Sequence, residues 1–202
     1  FIHKGKTFTL VDLPGTYSLL ANSLEEEVAR DFICHENPDA TVIVVDGTCL
    51  ERNLNLVLQI MTVTPRVIVC VNLMDEAERK GIKIDLNKLE KLLEVPVVGT
   101  AARSGIGLEQ LLDAIDRVAS SRITSKPVRI PALEYRFSAD ELAAGHESIA
   151  ASTVAAAEAI VRQVVTIVSQ EPHQFDRSLD QILTSRRFGI PIMLALLGVV
   201  FW

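Results

Sequence analysis

The chain has 202 residues, of which 20 are Lys or Arg and 26 are Asp or Glu, so its formal charge is −6. An apolar fraction of 49 % supplies enough material for a core and excludes a disordered chain. The acidic balance and an aromatic content of 5 % argue against nucleic acid as the main partner. Three cysteines without a C-x-x-C pair argue against a disulfide framework or a zinc knuckle.

Strand-like and helix-like segments alternate over the first two-thirds of the chain. Short β-branched or apolar runs predict strands, and apolar residues at helical spacing predict helices. The predicted strands are Thr7–Asp12, Thr41–Asp46, Arg66–Asn72 and Val95–Gly99. The predicted helices are Leu24–Cys34, Arg52–Met61, a helix N-capped by Asp85, and Gly107–Ser120. This alternation predicts an α/β fold with a mostly parallel sheet.

The pattern changes in the last third of the chain. Ser121–Pro131 is polar and contains two prolines, which is typical of a linker. Ser138–Gln170 is rich in Ala and predicts helix throughout. Phe188–Trp202 carries no charge and follows two arginines, so we interpret it as the start of a transmembrane helix whose preceding domain is cytoplasmic.

Three short motifs come directly after predicted strands. The first consists of Asp12, Leu13, Pro14 and Gly15. The second consists of Asn72, Leu73, Met74 and Asp75, and the third of Thr100, Ala101 and Ala102. In a doubly wound sheet, ligands bind outside the carboxyl ends of the strands. We therefore expect the three motifs to meet at one edge of the sheet.

Each motif suits one part of a guanine nucleotide. A carboxylate such as Asp12 can hold Mg²⁺ through water, while the N–H of Gly15 meets the terminal phosphate. The Asp75 carboxylate can accept two hydrogen bonds from guanine, whose edge differs from that of adenine, and a backbone N–H near Ala101 can meet the guanine carbonyl oxygen. Taken singly, each motif is also ordinary turn chemistry. Their occurrence in this order, each after a strand, is what predicts the nucleotide site.

Together these motifs resemble the third, fourth and fifth sequence motifs of the Ras-like GTPases. Two longer stretches, Val11–Leu19 (VDLPGTYSL) and Val44–Leu56 (VVDGTCLERNLNL), resemble the FeoB family of bacterial ferrous-iron transporters. The segment Leu179–Phe201 resembles the passage from the cytoplasmic helical domain of that family into its first membrane helix.

The resemblance implies an incomplete Ras-like GTPase domain over residues 1–122. A linker and a small all-helical domain would follow over residues 123–187, and a truncated transmembrane helix over residues 188–202. The chain would then be a fragment of a GTP-dependent Fe²⁺ transporter of the bacterial inner membrane, with this region on the cytoplasmic side. The implied partners are the remainder of the transporter and the membrane, and a homo-oligomer is left open.

The resemblance also implies roles for the motif residues and a set of ligands. GTP or GDP and Mg²⁺ would bind here, whereas Fe²⁺ would be the transported ion and would not bind to this chain. Asp12 would contact Mg²⁺ through water, and Gly15 would contact the γ-phosphate. Asn72 and Asp75 would read guanine, and Thr100–Ala102 would lie behind the base.

The sequence departs from the GTPase pattern at the phosphate-binding loop. It contains no complete G-x-x-x-x-G-K-[ST] motif. Gly5-Lys6-Thr7 matches its last three residues, but a strand follows instead of a helix, so Lys4-Gly5-Lys6 fits the turn of a β-hairpin better. In a Ras-like sheet the strand before this loop lies between the predicted strands Thr7–Asp12 and Thr41–Asp46. We therefore expect a gap there, a direct pairing of the two strands, or a strand from another chain.

These departures bear on activity. Without the loop that cradles the phosphates, we expect the chain alone to be a weak or inactive GTPase. Thr16 stands where many GTPases have a water-orienting Gln, and Leu73 stands where many have Lys beside the base. Two other interpretations remain: a soluble ribosome- or RNA-associated GTPase, which the uncharged tail disfavours, and a non-enzymatic remnant that binds no nucleotide.

Overall fold

The computed structural model describes residues 1–16, 18–19, 23–120 and 147–168, together with Ser185, Pro191 and Gly198. Two compact units are present, Phe1–Ile167 and Val168–Trp202, and nearly all described residues lie in the first. In chain order the elements are β1 (Ile2–His3), β2 (Lys6–Thr7), α1 (Leu24–His35), β3 (Thr41–Asp46), α2 (Leu50–Val63), β4 (Val67–Asn72), α3 (Met74–Arg79), β5 (Ile82–Ile84), α4 (Leu86–Leu93), β6 (Val97–Gly99), α5 (Leu108–Ser120), α6 (Glu147–Val164) and β7 (Val165–Ile167).

A parallel sheet of three strands, in the order β3–β4–β6, organises the first unit. The pairing of β3 with β4 runs from Thr41 opposite Val67 to Asp46 opposite Asn72. On its other side β4 pairs in parallel with β6, from Val69 opposite Val97 onward. Helices connect these strands, as parallel pairing requires. The predicted α/β fold with a parallel sheet is confirmed.

The central strand β4 is buried on both faces because helices cover both sides of the sheet. The buried side chains form two clusters, of which we call the one that contains Val67, Val69 and Val71 the larger core. Ile68 belongs to the other cluster and packs with Ala114 and Val118 of α5 on the opposite side of the sheet. The larger core is completed by fully or almost fully buried residues of three helices, namely Leu54 and Leu58 of α2, Leu89 and Leu93 of α4, and Ile160 and Val164 of α6. An uninterrupted apolar run such as VIVCV is what a strand buried on both faces requires.

The N-terminal hairpin is confirmed, but the long strand predicted after it is wrong. Lys4 and Gly5 both have positive φ, 48° and 76°, as a two-residue turn of the primed type requires. Strand β2 ends at Thr7, and Leu10 is 75 % exposed. A strand needs a neighbour for its backbone groups, and within the described residues β3 pairs only with β4. Direct pairing of the two predicted strands is therefore absent from the described residues, and a gap or a strand from another chain stays a prediction.

The end of α6 also differs from the prediction of continuous helix over residues 138–170. The helix ends at Val164, and Val165–Ile167 forms β7, which pairs antiparallel with β5. The β-branched run favours a strand. The carbonyl oxygen of Val164 accepts a hydrogen bond from the Asp85 N–H at 2.9 Å, which leads the chain into this pairing.

The predicted helical domain over residues 123–187 stays a prediction, because residues 121–146 and most residues after 168 lie outside the described part. The same holds for the predicted membrane segment 188–202, of which only Pro191 and Gly198 are described. Among the described residues, no helix has the length and apolar character that crossing a bilayer demands.

Ion pairs attach the hairpin to α5. The Nε2 atom of His3 and the Nζ atom of Lys4 both lie 2.7 Å from Oδ1 of Asp113, and Nζ of Lys6 lies 2.6 Å from Oδ1 of Asp116. Hydrogen bonds from Lys4 and His3 lower the pKa of Asp113, and the hydrogen bond from Lys6 lowers the pKa of Asp116. Asp113 and Asp116 therefore bind the hairpin when their carboxyl groups are ionised.

Acid is expected to release the hairpin from α5. The pKa values of Asp113 and Asp116 are lower in the folded chain than in the unfolded chain. Their contribution to docking is therefore present above the unfolded value of about 4 and is lost as the pH falls through the folded values. Amide NMR shifts of the hairpin, followed from pH 6 to pH 2, should change as the pH falls below the ordinary Asp value of about 4. In the double variant D113N/D116N the released shifts should already be present at pH 6, and shifts independent of pH in the unmodified chain would contradict the assignment.

Candidate functional site

The carboxyl ends of β3, β4 and β6 lie side by side. Asp46 is opposite Asn72, and Val71 is opposite Gly99, so the residues that follow these strands emerge together. Two backbone hydrogen bonds join the segments beyond β4 and β6. The N–H of Thr100 donates to Val71 at 2.8 Å, and the N–H of Met74 donates to Thr100 at 3.1 Å. The second and third predicted motifs therefore meet, as expected.

Asn72 is the centre of this junction. Its Oδ1 accepts hydrogen bonds from the Thr100 hydroxyl and from the Ala102 N–H, each at 3.1 Å. Thr100 is 1 % exposed, and its Oγ1 also lies 3.3 Å from Sγ of Cys70. A buried hydroxyl must find a partner inside the protein. Asn72 therefore holds the loop after β6 in place, whatever else it binds.

Asp75 stands exposed beside this junction. Leu73 has a φ of 60°, in the left-handed region, and occupies the N-cap position of α3. This turn places Met74 and Asp75 in the first turn of the helix, where a carboxylate is favoured by the helix dipole. Leu73 is itself 41 % exposed. An exposed carboxylate and an exposed apolar side chain at the same edge suit a planar base with hydrogen-bond donors.

Both alanine amides of the third motif are already hydrogen-bonded within the protein. The Ala101 N–H donates to the Ile106 carbonyl oxygen at 3.0 Å, and the Ala102 N–H donates to Asn72. The predicted contact of a base oxygen with the N–H near Ala101 would require that N–H to leave Ile106. The structure thus keeps this donor in a short antiparallel bridge between Ala101 and Ile106.

Glycines allow the loop after β6 to pack closely. Gly107 has a φ of +82°, and a Cβ there would lie 2.2 Å from the carbonyl oxygen of Gly99. Such a distance is far inside van der Waals contact, so only glycine fits at this position. Gly105 also has a positive φ, +74°, but a Cβ there would meet nothing within 4 Å.

The first motif lies apart from the other two. Asp12, Pro14 and Gly15 are exposed, while Leu13 is half-buried and packs against the larger core. Within the described residues, no hydrogen bond or ion pair joins residues 12–15 to the second or third motif. The structure therefore brings the second and third predicted motifs together and leaves the first, Asp12–Gly15, as an exposed segment.

Gln59 holds the chain just after the first motif, and sequence reasoning missed it. Its Oε1 accepts hydrogen bonds from the Ser18 hydroxyl at 3.0 Å and from the Leu19 N–H at 2.8 Å. Gln59 and Leu19 are both fully buried. The available signal was one polar residue inside the apolar run from Val57 to Met61.

Asp46 was also missed, although it is the last residue of an apolar strand as Asn72 is. Its Oδ1 accepts a hydrogen bond from the Thr48 N–H at 2.7 Å and so caps the turn Gly47–Cys49. Burial raises the pKa of Asp46, but hydrogen bonds from Thr48 and Cys49 together with the charge of Lys80 outweigh it and lower that pKa. Burial and the Asp46 hydrogen bond raise the pKa of Cys49, so its thiol stays protonated at neutral pH.

The described residues offer no metal cluster of His, Cys, Asp and Glu side chains, since no group of three or more could hold an ion. Cys70 is buried in β4 and belongs to the core.

Replacing Asn72 with Ala should destabilise the chain by about 1–3 kcal/mol, because the buried Thr100 hydroxyl and the Ala102 N–H lose their acceptor. The free energy of unfolding from urea titration measures this change. The matched control is N87A at an exposed position of α4, which should stay within about 0.5 kcal/mol of the parent. Equal stabilities for the two variants would contradict the role of Asn72.

The two glycines of the loop provide a second test. G105A should cost only the strain of a left-handed residue, about 1–2 kcal/mol. G107A adds a clash with the Gly99 backbone and should cost at least about 2 kcal/mol more. Thermal unfolding of both variants gives the comparison. A G107A variant no less stable than G105A would show that the loop packs differently.

The chain was compared with known proteins. Residues 1–115 match the family model described as ferrous iron transport protein B. An Fe(2+) transporter FeoB from Helicobacter pylori is 35 % identical over 206 residues, which cover 99 % of this chain and 30 % of the relative. One from Synechocystis is 30 % identical over 199 residues, covering 98 % of this chain and 30 % of the relative. The chain thus spans less than a third of the length of these curated relatives.

The chain is also similar in structure to solved domains of FeoB proteins. The cytosolic domain of the T. maritima FeoB iron transporter in a GDP form has a TM-score of 0.71 and 26 % identity, over 82 % of this chain and 83 % of that chain. The FeoB G-domain from Methanococcus jannaschii has a TM-score of 0.59 and 47 % identity, over 60 % of this chain and 78 % of that chain. The T. maritima cytosolic domain in a GMPPNP form has a TM-score of 0.68 and 27 % identity, over 82 % and 83 % of the two chains.

Proposed function

The chain belongs to the FeoB family and has its Ras-like α/β G-domain fold, and from this we propose that it is the guanine-nucleotide-binding region of a Fe²⁺ transporter. The observation that carries the proposal is the junction in which Asn72 binds Thr100 and Ala102 beside the exposed Asp75. Relatives with this fold have been solved in GDP and GMPPNP forms.

In this proposal Asp75 selects guanine. Its carboxylate accepts hydrogen bonds from the N1–H and the exocyclic amine of the base, a pair of neighbouring donors that adenine lacks. The exposed side chain of Leu73 packs against the base, where a Lys stem would extend further. Asn72 keeps the loop Thr100–Ala102 behind the base through its two hydrogen bonds.

The first motif would meet the phosphate end of the nucleotide. The exposed carboxylate of Asp12 is a hard oxygen ligand of the kind Mg²⁺ prefers, and it would hold the ion through water. Bound Mg²⁺ would neutralise phosphate charge. A Cβ at Gly15 would meet nothing within 4 Å, so a phosphate can approach its backbone N–H. With Thr16 in place of a water-orienting Gln, hydrolysis would be slow.

The chain spans 30 % of the length of the first relatives, so the activity of the whole protein is part of this proposal. The whole protein would move Fe²⁺ across the bacterial inner membrane, with this region on the cytoplasmic side and residues 188–202 entering the bilayer. Fe²⁺ would be its cargo and would not bind to this chain.

Titration with GDP, GTP and ATP tests the proposal. We expect guanine nucleotides to bind more tightly than ATP, and D75A to weaken GDP binding by about a hundredfold or more. The reason is that two hydrogen bonds to an ionised acceptor are each worth about 1.5–3 kcal/mol. The control is E78A, which removes another exposed carboxylate of α3.

Three outcomes would contradict the proposal. Equal weakening by D75A and E78A would remove Asp75 from base recognition. Absence of binding by all three nucleotides would favour a remnant without nucleotide binding. Salt-dependent binding of RNA that is tighter than that of GDP would favour the RNA-associated alternative.

A further inference from the structure

A buried amide in α2 is tied to the chain that follows the first motif. Gln59 is fully buried and lies between apolar neighbours, Leu58 and Ile60. Its Oε1 accepts from the Ser18 hydroxyl and from the Leu19 N–H, and its Nε2 donates to Oδ1 of Asn55 at 3.4 Å. Burying a side-chain amide without hydrogen-bond partners would destabilise the fold, so these hydrogen bonds are what allow Gln59 to be buried among apolar residues.

The acceptor end of Gln59 contacts a segment next to the proposed phosphate contact. We call the two hydrogen bonds from Ser18 and Leu19 to Gln59 the tether. Leu19 is four residues beyond Gly15, so even a fully extended chain would place the two residues at most about 14 Å apart. The Leu19 side chain is fully buried in the larger core, which holds the same point by packing. Thr16 adds a local turn, since its hydroxyl accepts from the Ser18 N–H at 3.2 Å.

The tether is built on a rigid support. Helix α2 begins at Leu50, directly after the turn that follows β3, and several of its side chains are buried in the larger core. By contrast Asp12, Pro14 and Gly15 are exposed, and the segment Thr9–Asp12 has no strand partner in the described part of the chain. The hydrogen bonds of Gln59 thus attach the chain beyond this exposed segment to a helix that is buried in the larger core.

We propose that Gln59 is a positioning residue that sets where the Asp12–Gly15 segment lies relative to the phosphate end of a bound nucleotide. It acts through Ser18 and Leu19 and touches no ligand itself. The inference rests on the proposed function. A γ-phosphate that binds Gly15 must find the segment already ordered, whereas a nucleoside diphosphate has no group at that position. Losing the tether therefore weakens binding of a triphosphate more than binding of a diphosphate.

The first experiment needs no nucleotide. Hydrogen exchange of the backbone amides is compared between the parent chain and Q59L, which keeps the size of the side chain and removes the acceptor. We expect exchange at Leu19, whose N–H donates to Gln59, to rise by about tenfold or more, while amides of β4 keep their protection. S18A removes the hydroxyl donor and leaves the Leu19 donor in place, so it should give a smaller rise at the same amide.

The matched control is I68V, which shortens a fully buried side chain in the separate cluster against α5. It lowers global stability without touching the tether. It should therefore raise exchange evenly or leave the Leu19 amide unchanged. If Q59L and S18A both fold and leave exchange at Leu19 unchanged, the inference is overturned.

The second experiment measures the affinities of GDP and GMPPNP for the same variants. Loss of one or two hydrogen bonds, each worth about a factor of five to ten, should lower the affinity for GMPPNP relative to that for GDP by about tenfold in Q59L. The ratio should not change in I68V. Equal weakening of both nucleotides by Q59L would indicate a structural role alone and overturn the inference.

The two experiments separate two kinds of failure. If the parent chain binds neither nucleotide, the proposed function of the chain fails. Hydrogen exchange then still decides whether Gln59 positions the segment, because that measurement depends on the folded chain alone.

Discussion

The rest of the structure depends on one strand. β4 is paired through its backbone on both sides and packed by apolar side chains on both faces, so neither its register nor its orientation can change without exposing a whole row of side chains. Its length sets where the turn after it begins. Asn72 is the last residue of β4, and Leu73 turns the chain into α3. The candidate site is thus attached to the least deformable part of the molecule.

The polar groups of the site follow from that position. Because β6 pairs with β4, the loop after Gly99 must pass close to Asn72, where the buried Thr100 hydroxyl needs an acceptor and the Ala102 N–H finds one. Asn72 supplies one oxygen to both. A second polar side chain, Gln59, does the same for the segment after Gly15. In both cases a side-chain amide inside an otherwise apolar layer fixes a loop that the sheet itself does not hold.

The spacing of apolar residues correctly predicted the helices and strands that depend only on residues close together in the sequence. The strands Thr41–Asp46 and Arg66–Asn72 and the helices through Leu54, Leu89 and Leu111 all lie within a few residues of their predicted ends. The Asp85 side chain caps α4 as predicted, by accepting from the Lys88 N–H at 2.9 Å. Predictions that required a distant partner were less successful. Residues 9–12 have strand-like composition but no neighbouring strand in the described part, and α6 gives way to β7 because β5 lies beside it.

The sequence by itself determined the fold class, the family, and the order of the three motifs, because these depend on residue types at short spacings. It could not decide which motifs touch. Only the tertiary structure brings Asn72 to Thr100 and Ala102, leaves Asp12 and Gly15 exposed, and makes Gln59 an acceptor for the segment beyond them. The physical reason is that a hydrogen bond between residues about 30 or 40 positions apart depends on strand register and helix packing, and no local pattern of side chains encodes that distance.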